Sequence, residues 1–312
     1  MIAAAAGRDR VAWRPPPEFA PRIRCDEPMS RHTSLHVGGP ADFYFEPRDR
    51  QDLAAFLRSL PAEMPVYWIG LGSNLLVRDG GLRGVVIQTQ TALTRLERES
   101  QTVLLCEAGV PCARLAKQCL QWNLGDAEWF AGIPGTLGGA LAMNAGAFGG
   151  ETWDHVLQVD LLGRDGQLST HAREEFQVGY RHVRLPSPQC WFVAARLRFA
   201  PQAASAPALR ALLEKRKESQ PIGSWNCGSV FVNPPGDYAA RLIEAAGLKG
   251  ARVGAAVVSD KHANFIVNEG AASAADIEQL IRHVQRTVRQ RSGVELRTEV
   301  RIVGEPPKEG VR

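Results

Sequence analysis

The residues that decide the fold are Ala131–Gly150, AGIPGTLGGALAMNAGAFGG, in which seven glycines occur within nineteen residues. A stretch so rich in glycine is a poor core former, because glycine loses more backbone freedom on folding than any other residue. Glycine at this density usually marks a close approach between the backbone and another group. The stretch therefore predicts a loop that holds a flat cofactor ring or its phosphates, and closely packed strands are the structural alternative.

A second loop, GLGSNL at residues 70–75, follows the predicted buried strand Val66–Ile69. It lacks the third glycine of a dinucleotide-binding fingerprint, and a short strand and a turn follow it instead of a helix, so a Rossmann unit is not favoured. Consecutive backbone N–H groups in such a loop can still form an anion-binding nest. Ser73 and Asn74 add side-chain donors, and we expect this loop to contact a diphosphate.

Composition limits the possible classes of protein. The 312 residues, 45% hydrophobic and 22% charged, predict a globular chain of two or three units. The chain has no apolar run of about 18 residues and no strongly basic patch, so we expect neither a membrane span nor a nucleic-acid partner. The single basic cluster, residues 215–217, is predicted to be a solvated helix face, with an anion contact as the alternative. Six cysteines without CxxC spacing are typical of reduced thiols in the cytoplasm.

Changes in sequence texture predict the domain organisation. Glycine-punctuated strands extend to about residue 200, and the Ala- and Ser-rich segment Pro201–Pro207 is the predicted boundary. Helices are then predicted at Ala208–Glu218, Tyr238–Ala246 and Ala274–Ser292, with strands that include Gly228–Val232. The predicted units are an N-terminal arm (1–21), a first subdomain (22–95), a second subdomain (96–203), a third domain (204–306) and a tail (307–312).

The order of motifs along the chain resembles the UDP-N-acetylenolpyruvoylglucosamine reductase (MurB) family. The resemblance covers nearly the whole chain beyond the arm, and it is specific as a combination, although no single motif is. Besides the two glycine loops, the motifs are Thr33-Ser34-Leu35, Gly38-Gly39, Tyr180-Arg181, Gly228-Ser229-Val230-Phe231, Asn233-Pro234, Lys261-His262-Ala263-Asn264 and Glu299-Val300-Arg301.

The resemblance implies an α+β protein. Its expected parts are a two-subdomain FAD-binding fold of the vanillyl-alcohol-oxidase (PCMH) type and a smaller α+β substrate-binding domain. This domain matches the shorter branch of the family, which lacks an insertion there. FAD is expected to bind without a covalent bond. The expected FAD-binding residues are Gly70, Gly72, Ser73, Asn74, Leu75, Gly132, Ile133, Pro134, Gly135, Thr136, Gly138, Gly139, Asn144, Ala145 and Gly146.

The resemblance also implies a reaction in which NADPH reduces FAD and a hydride then reaches the enolpyruvyl ether of a UDP-sugar. Ser229 would be the proton donor, with Gly228 allowing a close approach, while Arg181 and Glu299 would face the substrate carboxylate. A glutamate beside developing negative charge helps only when it is protonated, so we expect a raised pKa for Glu299 in the substrate complex. The expected substrate contacts are Tyr180, Arg181, Gln220, Asn233, Lys261, His262 and Asn264, and no metal is expected.

Some positions and functions stay open at this level. His32 stands where the family usually has asparagine, and Val232 replaces a lysine that could contact a phosphate. His262 is equally compatible with a structural histidine and a substrate contact. A flavin oxidase of the same fold and a non-catalytic nucleotide-sugar-binding protein are the alternative functions. We expect a cytoplasmic monomer whose partners are the two small-molecule substrates.

Overall fold

The structure is a computed structural model that describes residues 11–201 and 205–307. The predictions for residues 1–10, for part of the Pro201–Pro207 boundary and for residues 308–312 lie outside the described residues. Residues 11–21 of the arm are irregular except for a 3₁₀ turn that begins at Ala20. They are nevertheless packed, because the Trp13 ring lies edge-on to the Phe43 ring at 5.0 Å and Phe19 is buried.

The first subdomain contains a four-stranded mixed sheet. Its strands, in spatial order, are β1 (Ile23–Pro28), β2 (Pro40–Phe45), β5 (Leu82–Gln88) and β3 (Val66–Ile69). β1 and β2 are antiparallel, whereas β2 and β3 both run parallel to β5. Helix α1 (Arg50–Ser59) connects β2 to β3, and Asp49 caps it by accepting a hydrogen bond from the backbone N–H of Asp52.

The second subdomain contains a five-stranded antiparallel sheet. Its strands, in spatial order, are β11 (Leu168–Ala172), β10 (Val156–Gly163), β14 (Cys190–Arg198), β7 (Val103–Glu107) and β6 (Leu96–Arg98). Two small hairpins accompany it, β8 (Gly146–Ala147) with β9 (Gly150–Glu151) and β12 (Gln177–Gly179) with β13 (His182–Arg184). Helices α2 (Cys112–Gln121) and α3 (Leu137–Met143) pack on the same hydrophobic core.

The third domain contains a small antiparallel sheet and the longest helix of the described residues. The strands, in spatial order, are β15 (Trp225–Asn226), β18 (Ile266–Asn268), β17 (Ala256–Val258) and β16 (Arg252–Val253). The helices are α4 (Ala206–Ser219), α5 (Ala239–Ala245) and α6 (Ala274–Ser292). The chain returns to the first subdomain at its end, where β19 (Arg301–Val303) pairs in parallel with β4 (Leu75–Val77).

Two sequence-based expectations differ from the structure. Residues 137–143 form helix α3 within the predicted loop, because Gly138 allows that helix to lie directly against Ala108, only 2.9 Å from where a glycine-replacing Cβ would stand. Residues 228–232 do not form a regular strand. Gly228 has φ +75°, and Phe231 makes only an isolated bridge to Thr298.

The boundaries of the three units stay predictions. Helix α4, which the predicted boundary assigns to the third domain, packs through Leu209 against the core of the second subdomain. The core of the third domain in turn includes Leu35, Val37 and Leu76 from the first subdomain. The third domain is therefore joined to both subdomains, and the candidate site lies where the three parts meet.

Candidate active site

The two glycine loops that the sequence singled out lie against each other. A Cβ on Gly70 would stand 2.4 Å from Oγ1 of Thr136, and a Cβ on Gly135 would stand 3.3 Å from Oγ of Ser73. A side chain at Gly70 would therefore collide with the opposite loop. The structure thus brings together, at one edge, two loops predicted separately to contact the cofactor.

Backbone N–H groups remain available where these loops meet. Within residues 11–201 and 205–307, the N–H groups of Ser73, Gly135 and Thr136 donate to no protein acceptor. Free backbone N–H groups of neighbouring glycine-rich loops can bind a phosphate. The residues present therefore fit the diphosphate of a cofactor such as FAD.

Other residues that are expected to bind the cofactor already make hydrogen bonds or strand pairs within the protein. The N–H of Gly138 donates to the Ala108 carbonyl at 2.8 Å, so it is not free for a ligand. The side-chain amide of Asn74 donates to the Glu299 carbonyl at 3.1 Å and contacts the sulfur of Met143. Leu75 lies in β4 and pairs with Arg301. The Asn74 side chain therefore links the loop to the segment of Glu299, and its expected contact with the cofactor stays a prediction.

The second half of the glycine-rich stretch supports a catalytic candidate. Asn144 is buried, ends α3 with φ +44°, and bonds through its side chain to Trp153 and Glu151. The Asn144 and Gly146 carbonyls accept hydrogen bonds from Nη1 and Nη2 of Arg181 at 3.1 and 3.2 Å. This region therefore fixes the Arg181 guanidinium, a role that the sequence did not indicate.

Arg181 lies in the two-residue turn between β12 and β13, and its φ of +56° places it in the left-handed region. Its Nε is buried and lies 3.2 Å from Oε1 of Glu299, but no acceptor among the described residues is in line with that N–H. The guanidinium and the carboxylate therefore attract each other as charges, without a hydrogen bond from Nε. The Nε hydrogen remains available for a further oxygen ligand.

Glu299 is mostly buried, and its burial raises the pKa of the carboxyl group, although the nearby Arg181 opposes the change. The thiol of Cys227 is close by. Burial raises its pKa to about 12, and the negative charge of Glu299 contributes in the same direction. The carboxyl group thus stands in surroundings that favour its protonated form.

Ser229 lies in the segment that is bonded to the backbone of Glu299. The N–H of Glu299 donates to the Val230 carbonyl at 2.8 Å, which places the serine next to the backbone opposite the glutamate. The hydroxyl of Ser229 has no hydrogen-bond partner among the described residues. Gly228 has φ +75°, and no protein atom lies within 4 Å of a Cβ placed there. The expected close approach of a ligand at Gly228 stays a prediction.

Arg181 and Glu299 line one cavity of about 500 Å³, and Ser229 is not among its lining residues. A volume of this size is typical of a pocket for a small ligand. The lining residues are Met143, Arg181, Val232, Thr298, Glu299, Val300, Arg301, Ile302 and Val303. Met143 was not among the site residues expected from the sequence, and only its position within the glycine-rich stretch could have indicated it.

The residues that are expected to contact the substrate differ in their exposure and in their hydrogen-bond partners. Tyr180 is 48% exposed, stacks beneath the Arg181 guanidinium, and its hydroxyl lies 3.4 Å from the side-chain nitrogen of Asn233. The ammonium of Lys261 donates to the Lys217 carbonyl. The side-chain oxygen of Gln220 accepts a hydrogen bond from Nε of Arg216 at 3.0 Å. Tyr180 and Asn233 therefore meet between the second subdomain and the third domain, whereas the contacts of Lys261 and Gln220 lie within the third domain.

Two of the expected contacts are held within the third domain. Asn264 is buried, and both groups of its amide bond to the backbone of Phe231, at 2.9 and 2.8 Å. Asn264 therefore holds the segment that carries Ser229, and its expected contact with the substrate stays a prediction. Nδ1 of His262 faces the N–H of Asn264 at 3.3 Å, and burial lowers the pKa of the imidazole. These surroundings favour a neutral His262 that accepts this hydrogen bond.

Comparisons with known proteins agree with this architecture. Residues 41–171 match the model of an FAD binding domain, and residues 220–303 match the C-terminal domain of UDP-N-acetylenolpyruvoylglucosamine reductase. The chain is similar to the reductase of that name from Alkalilimnicola ehrlichii, with 58% identity over 91% of this chain and 95% of the relative. For the reductase from Methylococcus capsulatus the identity is 55%, over 89% and 92%.

A solved structure gives the same result. The crystal structure of UDP-N-acetylenolpyruvylglucosamine reductase (MurB) from Thermus caldophilus has a TM-score of 0.77 and 32% identity, covering 90% of this chain and 98% of that chain. The expected α+β FAD-binding fold with an additional domain is confirmed. No helix among residues 11–201 and 205–307 is long and apolar enough to cross a membrane. The chain belongs to the UDP-N-acetylenolpyruvoylglucosamine reductase family.

Proposed function

We propose that this protein uses NADPH and non-covalently bound FAD to reduce the enolpyruvyl group of UDP-N-acetylglucosamine enolpyruvate. The product is UDP-N-acetylmuramate, a precursor of peptidoglycan. The observation that carries the proposal is the single cavity in which Arg181 and Glu299 meet at 3.2 Å beside the segment of Ser229. This cavity also includes Met143, which contacts Asn74 of the first glycine loop.

The proposed cofactor contacts are the available N–H groups of Ser73, Gly135 and Thr136. The chemistry that bound FAD supplies is acceptance of a hydride from NADPH and its transfer to the methylene carbon of the enolpyruvyl ether. Because Gly70 and Thr136 are in contact, the protein can hold a diphosphate between two loops of different subdomains. The remaining steps belong to side chains of this protein.

Arg181 binds and orients the substrate carboxylate. Its two terminal nitrogens are bonded to the carbonyls of Asn144 and Gly146, so the guanidinium is already in position before the substrate arrives. Negative charge grows on the carboxylate side of the substrate when hydride adds to the methylene carbon. A fixed guanidinium stabilises this added charge more than it stabilises the single carboxylate charge of the ground state, which lowers the barrier.

Ser229 donates the proton that completes the reduction. Hydride adds to the methylene carbon, and the hydroxyl proton of Ser229 moves to the adjacent carbon that carries the ether oxygen. The resulting alkoxide recovers a proton from solvent. Because the hydroxyl makes no hydrogen bond to another described residue, it is available for this transfer.

Glu299 acts in its protonated form. A neutral carboxyl group donates a hydrogen bond to the developing enolate, whereas an ionised one would repel it. Burial already raises the pKa of this group before substrate binds, and a bound anion would raise it further. Glu299 therefore stabilises negative charge together with Arg181.

Contacts to the nucleotide-sugar are proposed for Tyr180, Gln220, Asn233, Lys261 and His262, which lie between the second subdomain and the third domain or beside that border. The ammonium of Lys261 already lies at the end of α4, where it donates to the Lys217 carbonyl. We also propose that the protein acts as a monomer in the cytoplasm. Analytical ultracentrifugation of the FAD-loaded protein tests the monomer.

The proposed function is tested anaerobically. NADPH should bleach the flavin absorbance of the purified protein, and UDP-N-acetylglucosamine enolpyruvate should then restore it with one product formed per flavin. UDP-N-acetylglucosamine, which lacks the enolpyruvyl group, is the matched control and should leave the flavin reduced. An oxidase of the same fold would regain its colour with oxygen and not with the enolpyruvyl substrate. A colourless protein that binds only the nucleotide-sugar would overturn the proposal.

A further inference from the structure

Arg216 is a partly buried cation at the border between the second subdomain and the third domain. It lies in the last turn of α4. Its Nε donates to the Gln220 side-chain oxygen at 3.0 Å, and Nη1 lies 3.5 Å from the Ala131 carbonyl. Ala131 is the first residue of the glycine-rich stretch, so the guanidinium reaches the region proposed to hold the cofactor.

No carboxylate among the described residues forms an ion pair with Arg216. Arg78 and Arg181, by contrast, are partnered by Glu278 at 2.9 Å and Glu299 at 3.2 Å. Burial lowers the pKa of the Arg216 guanidinium, and no acid opposes this change. Burial also lowers the pKa of Arg164, but there the charge of Glu63 acts in the opposite direction.

The surrounding acids are directed elsewhere. The 3₁₀ turn Glu128–Gly132 packs against α4. The carboxylate of Glu128 bonds to the backbone N–H groups of Ser205 and Ala127, at the other end of the helix. Glu214 and Glu218 lie two residues away from Arg216 on α4, and side chains at this spacing do not face each other. The remaining neighbours Lys215, Lys217 and Lys261 are cationic.

We propose that Arg216 binds an anionic oxygen group of a nucleotide held between the glycine-rich stretch and the third domain. A guanidinium has five N–H donors, and the two contacts above leave three of them for a ligand. The bound anion would supply the negative charge that no described carboxylate places beside Arg216. The nucleotide is FAD or one of the two substrates, and the inference rests on the proposed function for the identity of these nucleotides.

The test compares Arg216→Gln and Arg216→Lys with Lys215→Gln, an exposed neighbour on the same helix that removes the same charge. FAD affinity is measured by titrating flavin-free protein with FAD and following flavin fluorescence. KM is measured separately for NADPH and for UDP-N-acetylglucosamine enolpyruvate. Loss of one partner of a desolvated charge pair should weaken one of these nucleotides about tenfold or more in Arg216→Gln.

The constant that changes identifies the source of the anion. A change confined to the FAD dissociation constant assigns it to the cofactor, and a change confined to one KM assigns it to that substrate. Arg216→Lys should recover part of the loss, since it keeps the charge without the planar fork. Lys215→Gln should alter every constant less than about twofold, because exposed charges interact weakly.

The inference is overturned if all three constants in Arg216→Gln stay within about twofold of those of Lys215→Gln, the range expected of an exposed charge. It is also overturned if only the melting temperature falls. Should Arg216→Gln fail to fold, the same criteria apply to Arg216→Lys. The FAD titration does not depend on turnover, so this result is distinguishable from a failure of the wild-type protein to reduce the enolpyruvyl substrate.

Discussion

The third domain borders the two subdomains in two different ways. Towards the first subdomain, β19 pairs in parallel with β4, and the guanidinium of Arg78 bonds to Glu278 on α6 at 2.9 Å. The carboxylate of Asp79 accepts the N–H groups of Ala274 and Ala275 at the start of α6, where a negative charge is favourable. Leu35, Val37 and Leu76 of the first subdomain are buried in the core of the third domain, and we call this contact the apolar border.

Towards the second subdomain, Leu209 packs on the core, but the part of the border around Arg181 and Arg216, which we call the polar border, is partly open to solvent. It includes the Arg181–Glu299 pair, the 3.4 Å contact between Asn233 and Tyr180, and the contact of Arg216 with Ala131. Several of these groups keep free donors. The polar border therefore has the properties of a binding site, whereas the apolar border has those of a protein core.

The difference shows how the two borders cooperate. Glu299 lies two residues before β19, so the strand pairing at the apolar border sets the position of the carboxyl group at the polar border. Because the third domain is attached rigidly to the first subdomain, charged groups at the polar border can be held in place without having all of their hydrogen-bond partners. Changes at the two borders should therefore have separable effects on stability and on catalysis.

Ser229→Ala, at the polar border, should have the largest effect on catalysis. NADPH should still bleach the flavin, but reoxidation by the enolpyruvyl substrate should slow by about 10²–10⁴-fold, the usual contribution of a general acid. Stopped-flow absorbance of each half-reaction measures this. Ser169→Ala on the exposed strand β11 serves as the control. Equal rates for both half-reactions in Ser229→Ala would remove the serine from the mechanism and weaken the contrast between the borders.

Leu76→Ala should have the largest effect on stability. Leu76 is fully buried within the third-domain core although it belongs to the first subdomain. Its truncation should lower the free energy of unfolding by about 2–5 kcal/mol, through lost transfer energy and a cavity. Urea denaturation measures the change, with the exposed Leu168→Ala as the control. A loss below about 0.5 kcal/mol, as for a surface substitution, would mean that the apolar border does not act as a core.

The pH dependence of reoxidation should report Glu299. Its pKa is raised above the ordinary value of 4.5 by burial, so the protonated form persists above that pH and is lost as the pH rises through the folded-state value. The rate should therefore fall with rising pH, approaching about tenfold per pH unit beyond that value. In Glu299→Gln the group donates a hydrogen bond at every pH, so the decline should flatten. A wild-type rate that rises with pH through this range would contradict a protonated Glu299.

Much of the regular structure follows from the sequence alone. The bounds of α6 are those predicted, Ala274–Ser292, because apolar residues recur along one face and Ser273 and Gly293 cap its two ends. The meeting of Arg181 with Glu299 could not be derived from their spacing. It was expected only from the resemblance to the family, since these residues are 118 positions apart in the chain.

Other features depend on contacts that a sequence does not display. Helix α3 contains Gly138 and Gly139, which disfavour a helix, and close packing against Ala108 overrides this preference. The side chain of Asn264 bonds to the N–H and the carbonyl of Phe231, as a neighbouring strand would otherwise do. The segment that carries Ser229 is therefore held without regular strand pairing. Arg216 was only one member of a basic cluster until its position relative to Ala131 was known.

Tyr180→Phe should produce the smallest effect, confined to the polar border. The hydroxyl is exposed and its contact with Asn233 is long, at 3.4 Å, so its loss should cost about 1 kcal/mol or less. KM for the enolpyruvyl substrate should rise by up to about fivefold, with an unchanged melting temperature. Tyr238→Phe, whose side chain is more exposed, is the matched control. A fall in melting temperature with constant KM would instead group Tyr180 with the residues that hold the domains together.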